Sequence, residues 1–344
     1  MRRLKYWQAI SEGLVQSMGH DKNIFIASAG VDDPRGIFGT TLEAHNRFGG
    51  ERVFDIPNCE NAFAGIALGA AAVGKRPVVV YVRNDFMFLA ADQLINLAAK
   101  WKYMFGGGTS VPVLFRGIVG RGWGQGATHS QSTHAMFAHF PGLYVATPAF
   151  PDDAKGLIIT ALRGHTPVIL LENRACYELE GDVPEEMAGI PFGLARVLRE
   201  GSDITIVGAS LMAYEALRTA DILSELGISA EVIDPRSIRP LDRETIVSSV
   251  KKTGRLVIVD TSWSLYGFAA EVAALAAEEA WGYLKAPVRR VTPPDCPAPV
   301  SKVLEDSFHP SPSSIAQVCL SVMETQGKTE KTVGDIQESF RGPY

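Results

Sequence analysis

A glutamate at the start of a helix of small residues is the first side chain whose type and position suggest chemistry. Glu60 follows the short apolar strand 52–54 and a turn that contains Pro57. The helix after it places Gly65 and Gly69 on one face. Each glycine inside a helix costs about 1 kcal/mol relative to alanine, so the pair predicts that something approaches this face closely. Glu60 either complements the helix dipole, worth at most about 1 kcal/mol, or is catalytic.

A histidine after a glycine-rich segment is the second candidate. The strand predicted at 111–115 leads into five closely spaced glycines, which are Gly117, Gly120, Gly122, Gly124 and Gly126. This spacing predicts a flexible loop that can approach a ligand. His129 comes directly after it, and an imidazole is suited to changing its charge near neutral pH. His134 and His139 follow in a predicted helix, where we expect them to cap or pack.

The composition restricts the class of protein. A chain of 344 residues that is 46% hydrophobic and 21% charged has the length for two globular domains. The formal net charge of -5 argues against nucleic acid as a partner, and no apolar run has the length of a membrane span. The N-terminus shows no presequence pattern. Scattered cysteines without a CxxC motif predict reduced thiols and a cytoplasmic location; they are Cys59, Cys176, Cys296 and Cys319.

Buried strands alternate with helices along most of the chain. In the first half, strands are predicted at 24–28, 77–82, 111–115, 143–145 and 167–171, and helices at 41–48, 90–104 and 152–163. The pattern lapses in an acidic stretch and then resumes as far as residue 291. Such alternation predicts an α/β fold with parallel sheets covered by helices. The predicted organisation is a domain at 1–175, an acidic linker at 176–190, a second domain at 191–325 and a polar tail at 326–344.

Seven motifs in order along residues 4–325 resemble one family. They lie at 54–67, 92–100, 129–132, 138–142, 153–157, 234–240 and 304–306. They are similar to the beta subunit of the decarboxylating component of 2-oxo acid dehydrogenase complexes, which include the pyruvate, branched-chain and acetoin dehydrogenases. The resemblance implies two parallel-sheet α/β domains, a thiamine pyrimidine-binding domain followed by a transketolase C-terminal-type domain.

The resemblance also implies a cofactor and partners. Thiamine diphosphate lies between two chains in this family, and an alpha subunit supplies Mg²⁺ and the diphosphate site through a Gly-Asp-Gly motif. That motif is absent here, and Gly181-Asp182 lies in the predicted linker. The implied assembly is an α2β2 tetramer, with a lipoyl acyltransferase core as a further partner and a small 2-oxo acid as substrate.

Individual roles follow from matched positions. Glu60 matches the family glutamate that exchanges a proton with the pyrimidine ring nitrogen, and Val82 and Phe86 match residues that contact the pyrimidine. His129 matches a histidine that faces the reacting carbon, where it stabilises a developing alkoxide or serves acyl transfer. Some relatives also hold K⁺ near the backbone of five positions, which here are Val113, Ala161, Leu162, Gly164 and Thr166.

The sequence departs from the family at three places. Ala29 and Gly30 replace an acidic pair that helps connect the two active sites, Asn61 replaces a small or apolar residue, and residues 340–344 extend beyond the common core. These changes leave two alternatives open: two-carbon or acyloin transfer, as in half of a split transketolase, and a non-catalytic docking subunit. The presence of Glu60, Phe86 and His129 together argues against the docking subunit.

Overall fold

A computed structural model describes residues 1–31, 33–121 and 124–324. The predicted tail at 326–344 lies outside these residues. The described residues form two compact units, one within residues 1–121 and 128–192, the other within residues 124–127 and 193–324. The acidic segment predicted as a linker at 176–190 is thus part of the first unit. No helix within the described ranges is both long enough and apolar enough to cross a membrane.

The first unit contains eight strands and six α-helices within its described residues. The strands are β1 (Arg2–Lys5), β2 (Ile24–Ser28), β3 (Val53–Asp55), β4 (Arg76–Tyr81), β5 (Leu114–Val119), β6 (Tyr144–Ala146), β7 (Val168–Asn173) and β8 (Glu180–Val183). The helices are α1 (Tyr6–His20), α2 (Leu42–Phe48), α3 (Glu60–Ala72), α4 (Trp101–Met104), α5 (His134–Ala138) and α6 (Pro151–Arg163). Parallel pairing in the order β6-β7-β5-β4-β2-β3 makes a sheet whose central strands are buried, which explains why they are mostly apolar.

The second unit has the same architecture on a smaller scale. Its strands are β9 (Arg196–Arg199), β10 (Ile204–Gly208), β11 (Ala230–Asp234), β12 (Ser237–Arg239), β13 (Leu256–Val259) and β14 (Arg289–Val291). Its helices are α7 (Leu211–Glu225), α8 (Arg243–Thr253), α9 (Phe268–Glu279), α10 (Lys302–Phe308) and α11 (Pro312–Glu324). The sheet has four parallel strands in the order β14-β13-β10-β11. At its edge, β9 pairs with β11 in antiparallel orientation. The predicted α/β fold class is confirmed.

The segment between β4 and β5 differs from the single helix predicted at 90–104. It forms a 3₁₀ helix (Asn84–Ala90), a π-helix (Asp92–Ala98) and the short α4. The backbone N–H of Ala99 donates to the carbonyl of Leu94, five residues back, which widens the turn. Hydrophobic spacing alone does not distinguish this wider turn from an α-helix. Gly142 packs here with φ +97, and a Cβ on it would lie 1.8 Å from the Ala99 carbonyl oxygen.

A fully buried ion pair joins β5 to β7. The Arg116 guanidinium donates through Nε and Nη2 to the two carboxylate oxygens of Glu172, and neither side chain has exposed surface. Two hydroxyls extend the pair, because Tyr177 donates to Glu172 at 2.6 Å and Arg116 donates to Thr40 at 3.1 Å, whereas Arg116 Nη1 has no partner among the described residues. Burial and the neighbouring Glu172 charge hold the pKa of Tyr177 well above its usual range.

The start of the chain pairs with the acidic segment. β1 and β8 form a two-stranded antiparallel sheet in which Arg2 lies opposite Val183. The Lys155 ammonium on α6 is almost fully buried, and it donates to Glu12 at 2.6 Å and to the carbonyl of Pro184. These contacts fix the acidic segment to α1 and α6 within the first unit.

Candidate functional site

Glu60 is the first residue of α3 and is half-buried in this chain. β3 ends at Asp55, and a turn through Pro57 leads directly into the helix. The last residue of β4, Tyr81, is 5% exposed, and its hydroxyl has no hydrogen-bond partner among the described residues. Burial and the charge of Glu60 raise the pKa of Tyr81 above its usual range. A carboxylate and an unused hydroxyl thus lie near each other at the carboxyl end of β4.

Phe86 and His129 are in ring contact. Their centroids are 5.4 Å apart and the planes meet at 84°, an edge-to-face arrangement. Phe86 lies in the 3₁₀ helix that follows β4, whereas His129 lies in the loop between β5 and α5. The Thr128 hydroxyl is 2.9 Å from His129 Nδ1. The structure therefore brings together two of the predicted site residues, and Val82, half-buried, directly follows Tyr81 on the same segment.

A set of buried polar side chains joins these two segments, and the sequence analysis missed it. Asp85 Oδ1 accepts from the side chain of Gln131 at 2.8 Å and from its backbone N–H at 3.3 Å. Asn84 Nδ2 donates to the Gln131 carbonyl at 2.9 Å, and Asn84 Oδ1 accepts from the Thr133 hydroxyl at 2.6 Å. The available signal was an Asn-Asp pair immediately after a buried strand, where ligand sites of parallel sheets occur.

The glycine-rich segment is only partly a loop. Gly117 lies inside β5, where a Cβ would come within 2.6 Å of the Met87 sulfur and 2.9 Å of Leu171. The prediction of a flexible loop at this position was wrong, because here glycine permits close packing on a strand. Gly124 and Gly126 have φ values of +63 and +69, which favour glycine. Gly122 lies outside the described residues.

Two of the five positions predicted to hold K⁺ have their carbonyl groups at the other end of β4. Arg76, its first residue, donates from Nη1 to the carbonyls of Leu162 and Gly164 at 2.9 and 2.7 Å. A cation would share these two oxygens with a guanidinium, which is already positive. A cavity of about 200 Å³ beside Arg76, Leu162 and Arg163 lies at this same edge, away from Tyr81. Within the described part of the chain, no group of three or more His, Cys, Asp or Glu could hold a metal.

Comparison with known proteins identifies the two units. The pyrimidine-binding domain of transketolase matches residues 2–179, and the C-terminal domain of transketolase matches residues 193–315. The chain belongs to the transketolase-like family. Membership of this family implies thiamine diphosphate as the cofactor.

Curated relatives of this transketolase-like chain are dehydrogenase beta subunits. It is 41% identical over 333 residues to the beta subunit of acetoin:2,6-dichlorophenolindophenol oxidoreductase from Cupriavidus necator, a match that covers 94% of this chain and 98% of that one. It is also 41% identical over 315 residues to the pyruvate dehydrogenase E1 component subunit beta from Rickettsia felis, covering 92% and 97%. The resemblance noted in the sequence is confirmed.

A solved structure agrees on the fold. A split gene transketolase, described as an inactive beta4 tetramer, superposes with a TM-score of 0.76 at 22% identity, covering 93% of this chain and 98% of that one. At this identity the similarity shows the fold alone.

The side chains at the carboxyl ends of β3 and β4 in the transketolase-like chain fit an aminopyrimidine. Glu60 offers a carboxyl group for a ring nitrogen, and Phe86 offers an aromatic face. The buried hydroxyl of Tyr81 has unused hydrogen-bonding capacity, which is costly unless a polar group or water satisfies it.

Asp55 binds the backbone of the loop after β2, where Ala29 and Gly30 lie. Its Oδ1 accepts from the backbone N–H groups of Gly30 and of Val31, the latter at 3.0 Å. Gly30 has φ +84, a conformation that an aspartate or glutamate adopts at a cost. Asp55, at the end of β3, thus holds the backbone of the loop after β2.

Proposed function

We propose that this chain is the beta subunit of a heteromeric thiamine diphosphate enzyme that decarboxylates a small 2-oxo acid and passes the acyl group to a lipoyl domain. The observation that carries the proposal is the 41% identity to a pyruvate dehydrogenase E1 beta subunit over nearly the full length of both chains. The contact between Phe86 and His129 and the position of Glu60 at the start of α3 support it.

Each site residue has a distinct task in this proposal. Thiamine diphosphate, when bound, supplies the electron sink that lets a 2-oxo acid lose CO₂. Glu60 holds a proton at the pyrimidine ring nitrogen, which a carboxyl group can both donate and accept. Val82 and Phe86 pack against the pyrimidine and exclude water from it. His129 donates a hydrogen bond to negative charge that develops on the substrate.

Partners complete the proposed enzyme. An alpha subunit with a Gly-Asp-Gly motif supplies Mg²⁺ and the diphosphate site in an α2β2 assembly, and a lipoyl acyltransferase core accepts the acyl group. The support is that the relatives are named as beta subunits. We infer a cytoplasmic location from the four free cysteines, although a relative from Bos taurus is named as mitochondrial.

Calorimetric titration of thiamine diphosphate with Mg²⁺ tests the shared site. The titration is made into this chain alone and into its mixture with the candidate alpha subunit. We expect binding only in the mixture, followed by dye reduction when pyruvate or a branched 2-oxo acid is added. Tight binding to the isolated chain would show that the diphosphate site is not shared, and failure to bind in the mixture would favour a docking subunit.

Acetoin cleavage is the second candidate reaction. An acetoin oxidoreductase beta subunit is as similar to this chain as the pyruvate dehydrogenase subunit is, at 41% identity. Acetoin carries a 1-hydroxyethyl group next to its ketone carbonyl, where pyruvate carries a carboxylate, so its cleavage releases acetaldehyde instead of CO₂. Product analysis of the mixture with either substrate separates the two reactions.

We further propose that the exposed face of α3 contacts the partner. Ala62, Ile66, Gly69 and Val73 follow at helical spacing and are all exposed. A Cβ at Gly69 would meet nothing within 4 Å in this chain, so the folded chain tolerates a side chain there. Gly69→Leu should therefore leave the chain folded and prevent assembly, because close helix packing needs a small residue.

Light scattering of the mixed subunits measures the effect of Gly69→Leu. Ser248→Leu, at an exposed position of α8, is the control for adding a large apolar side chain to a helix surface. An oligomer of unchanged mass with Gly69→Leu would refute the α3 contact.

A further inference from the structure

Asp85 is a carboxylate in a place where an amide would make nearly the same hydrogen bonds. Its side chain is 7% exposed, and both bonds from Gln131 go to the same oxygen, Oδ1. An asparagine would accept both bonds from Gln131 through its carbonyl oxygen, and it would lose the long bond, 3.2 Å, that Asn84 donates to Oδ2. Hydrogen bonding therefore does not require a charge at this position.

The charge on Asp85 costs free energy in the folded chain. Burial raises the pKa of Asp85, because desolvation disfavours the ionised form, although the bonds from Gln131 and the charge of His129 oppose this. A nearby positive charge stabilises the ionised form of a buried carboxyl group and so offsets the cost of burying it.

The charged groups that face Asp85 are positive. His129 acts on it from the loop after β5, and Arg83 acts on it from the end of β4. Arg174, which follows β7, acts on Arg83. Phe86, the next residue after Asp85, holds its ring against the His129 imidazole. One short segment thus supplies both an aromatic contact and a negative charge to the same histidine.

We propose that Asp85 is a positioning residue for His129, fixing its loop through Gln131 and stabilising the protonated imidazole with its own negative charge. The protonated imidazole then faces the negative charge that develops on the substrate, such as the oxygen of a 2-oxo acid. This proposal rests on the proposed function for the role of His129, but the coupling between Asp85 and His129 is a property of the isolated chain.

Thermal unfolding of the full chain measures that coupling. Because folding raises the pKa of Asp85, the folded state favours its protonated form, and this contribution to stability is lost as the pH rises through the folded-state value. At pH 8 the buried carboxylate is charged, so Asp85→Asn should raise Tm. Lowering the pH adds positive charge to imidazoles in general, which offsets the cost of a buried carboxylate beside one. At pH 6 the same change should therefore raise Tm less, by a difference of about 2 °C.

The background variant His129→Gln makes the test specific. In that background the difference between the two pH values should shrink, because the partner charge is gone. Asp221, on α7, forms a surface ion pair with Arg199. Asp221→Asn removes one negative charge there and is the control for the change in net charge. An equal pH difference in both backgrounds overturns the proposal, and so does an Asp85→Asn chain that is destabilised at both pH values.

The assembled enzyme provides the kinetic readout. Asp85→Asn should lower kcat by about tenfold with little change in KM, and move the alkaline limb of the pH–rate profile to lower pH. Asp85→Glu, which restores the charge, should return that limb towards its wild-type position, and failure to do so counts against the proposal. If the wild-type mixture turns over no 2-oxo acid while the thermal coupling is present, the proposed function fails and the coupling stands.

Discussion

Glu60→Gln is expected to lower turnover of the assembled enzyme by about 10²- to 10⁴-fold. A glutamine keeps the size and the hydrogen-bonding polarity of the side chain, but it cannot give a proton to a ring nitrogen and take it back. The loss should therefore fall on kcat and should not be recovered by raising the substrate or cofactor concentration. Steady-state kinetics of the mixed subunits measures it, and light scattering should show an unchanged assembly.

Glu43→Gln is the matched control for this prediction. Glu43 lies in the first turn of α2, as Glu60 does in α3, and it is exposed. If Glu60 only complements its helix dipole, both variants lose at most about 1 kcal/mol of stability and keep full activity. Near wild-type turnover for Glu60→Gln would thus show that Glu60 is not catalytic and only complements the helix dipole.

Glu172→Gln is expected to destabilise the isolated chain by about 3 to 5 kcal/mol. The change leaves the Arg116 guanidinium buried in the sheet without a counter-charge, while the shape of the site stays nearly the same. Because folded domains are stable by only about 5 to 15 kcal/mol, the variant should unfold at much lower urea concentration. Urea unfolding followed by circular dichroism measures the shift in midpoint.

A double replacement shows whether the charge is the cause. Arg116→Met combined with Glu172→Leu removes both charges and should recover most of the stability, since apolar residues of similar volume can replace a buried pair. Asp221→Asn, which breaks the exposed pair with Arg199, should change little. A double variant as unstable as Glu172→Gln would show that hydrogen bonds to Tyr177 and Thr40, and not the charge, hold this part of the core.

The sequence predicted most of the strands because buried strands are rich in apolar residues. The apolar parts of β4 and β7 are examples, and the structure places these strands within one or two residues of the predicted positions. The π-helix at Asp92–Ala98 and the strand position of Gly117 were missed, because each depends on a packing partner distant in sequence. Spacing within a window carries no information about such partners.

In the candidate site too, some residues could be predicted from the sequence and others could not. Glu60, Phe86 and His129 were found through motifs that resemble a family, and the structure adds the contact between the last two. Asp85 was not found, because its importance lies in bonds to Gln131, 46 residues away. Only a folded chain shows that a carboxylate is buried and which charges face it.

The pairing of β1 with β8 sets an order of events during synthesis. β1 is made before the other strands of the first unit, yet its partner strand is made only after nearly all of that unit. The entropy cost of closing such a long loop grows slowly with its length, but contacts so distant in sequence form late. β1 is thus among the last strands of this unit to pair. A tag fused directly before β1 would act on the completion of this unit rather than on its beginning.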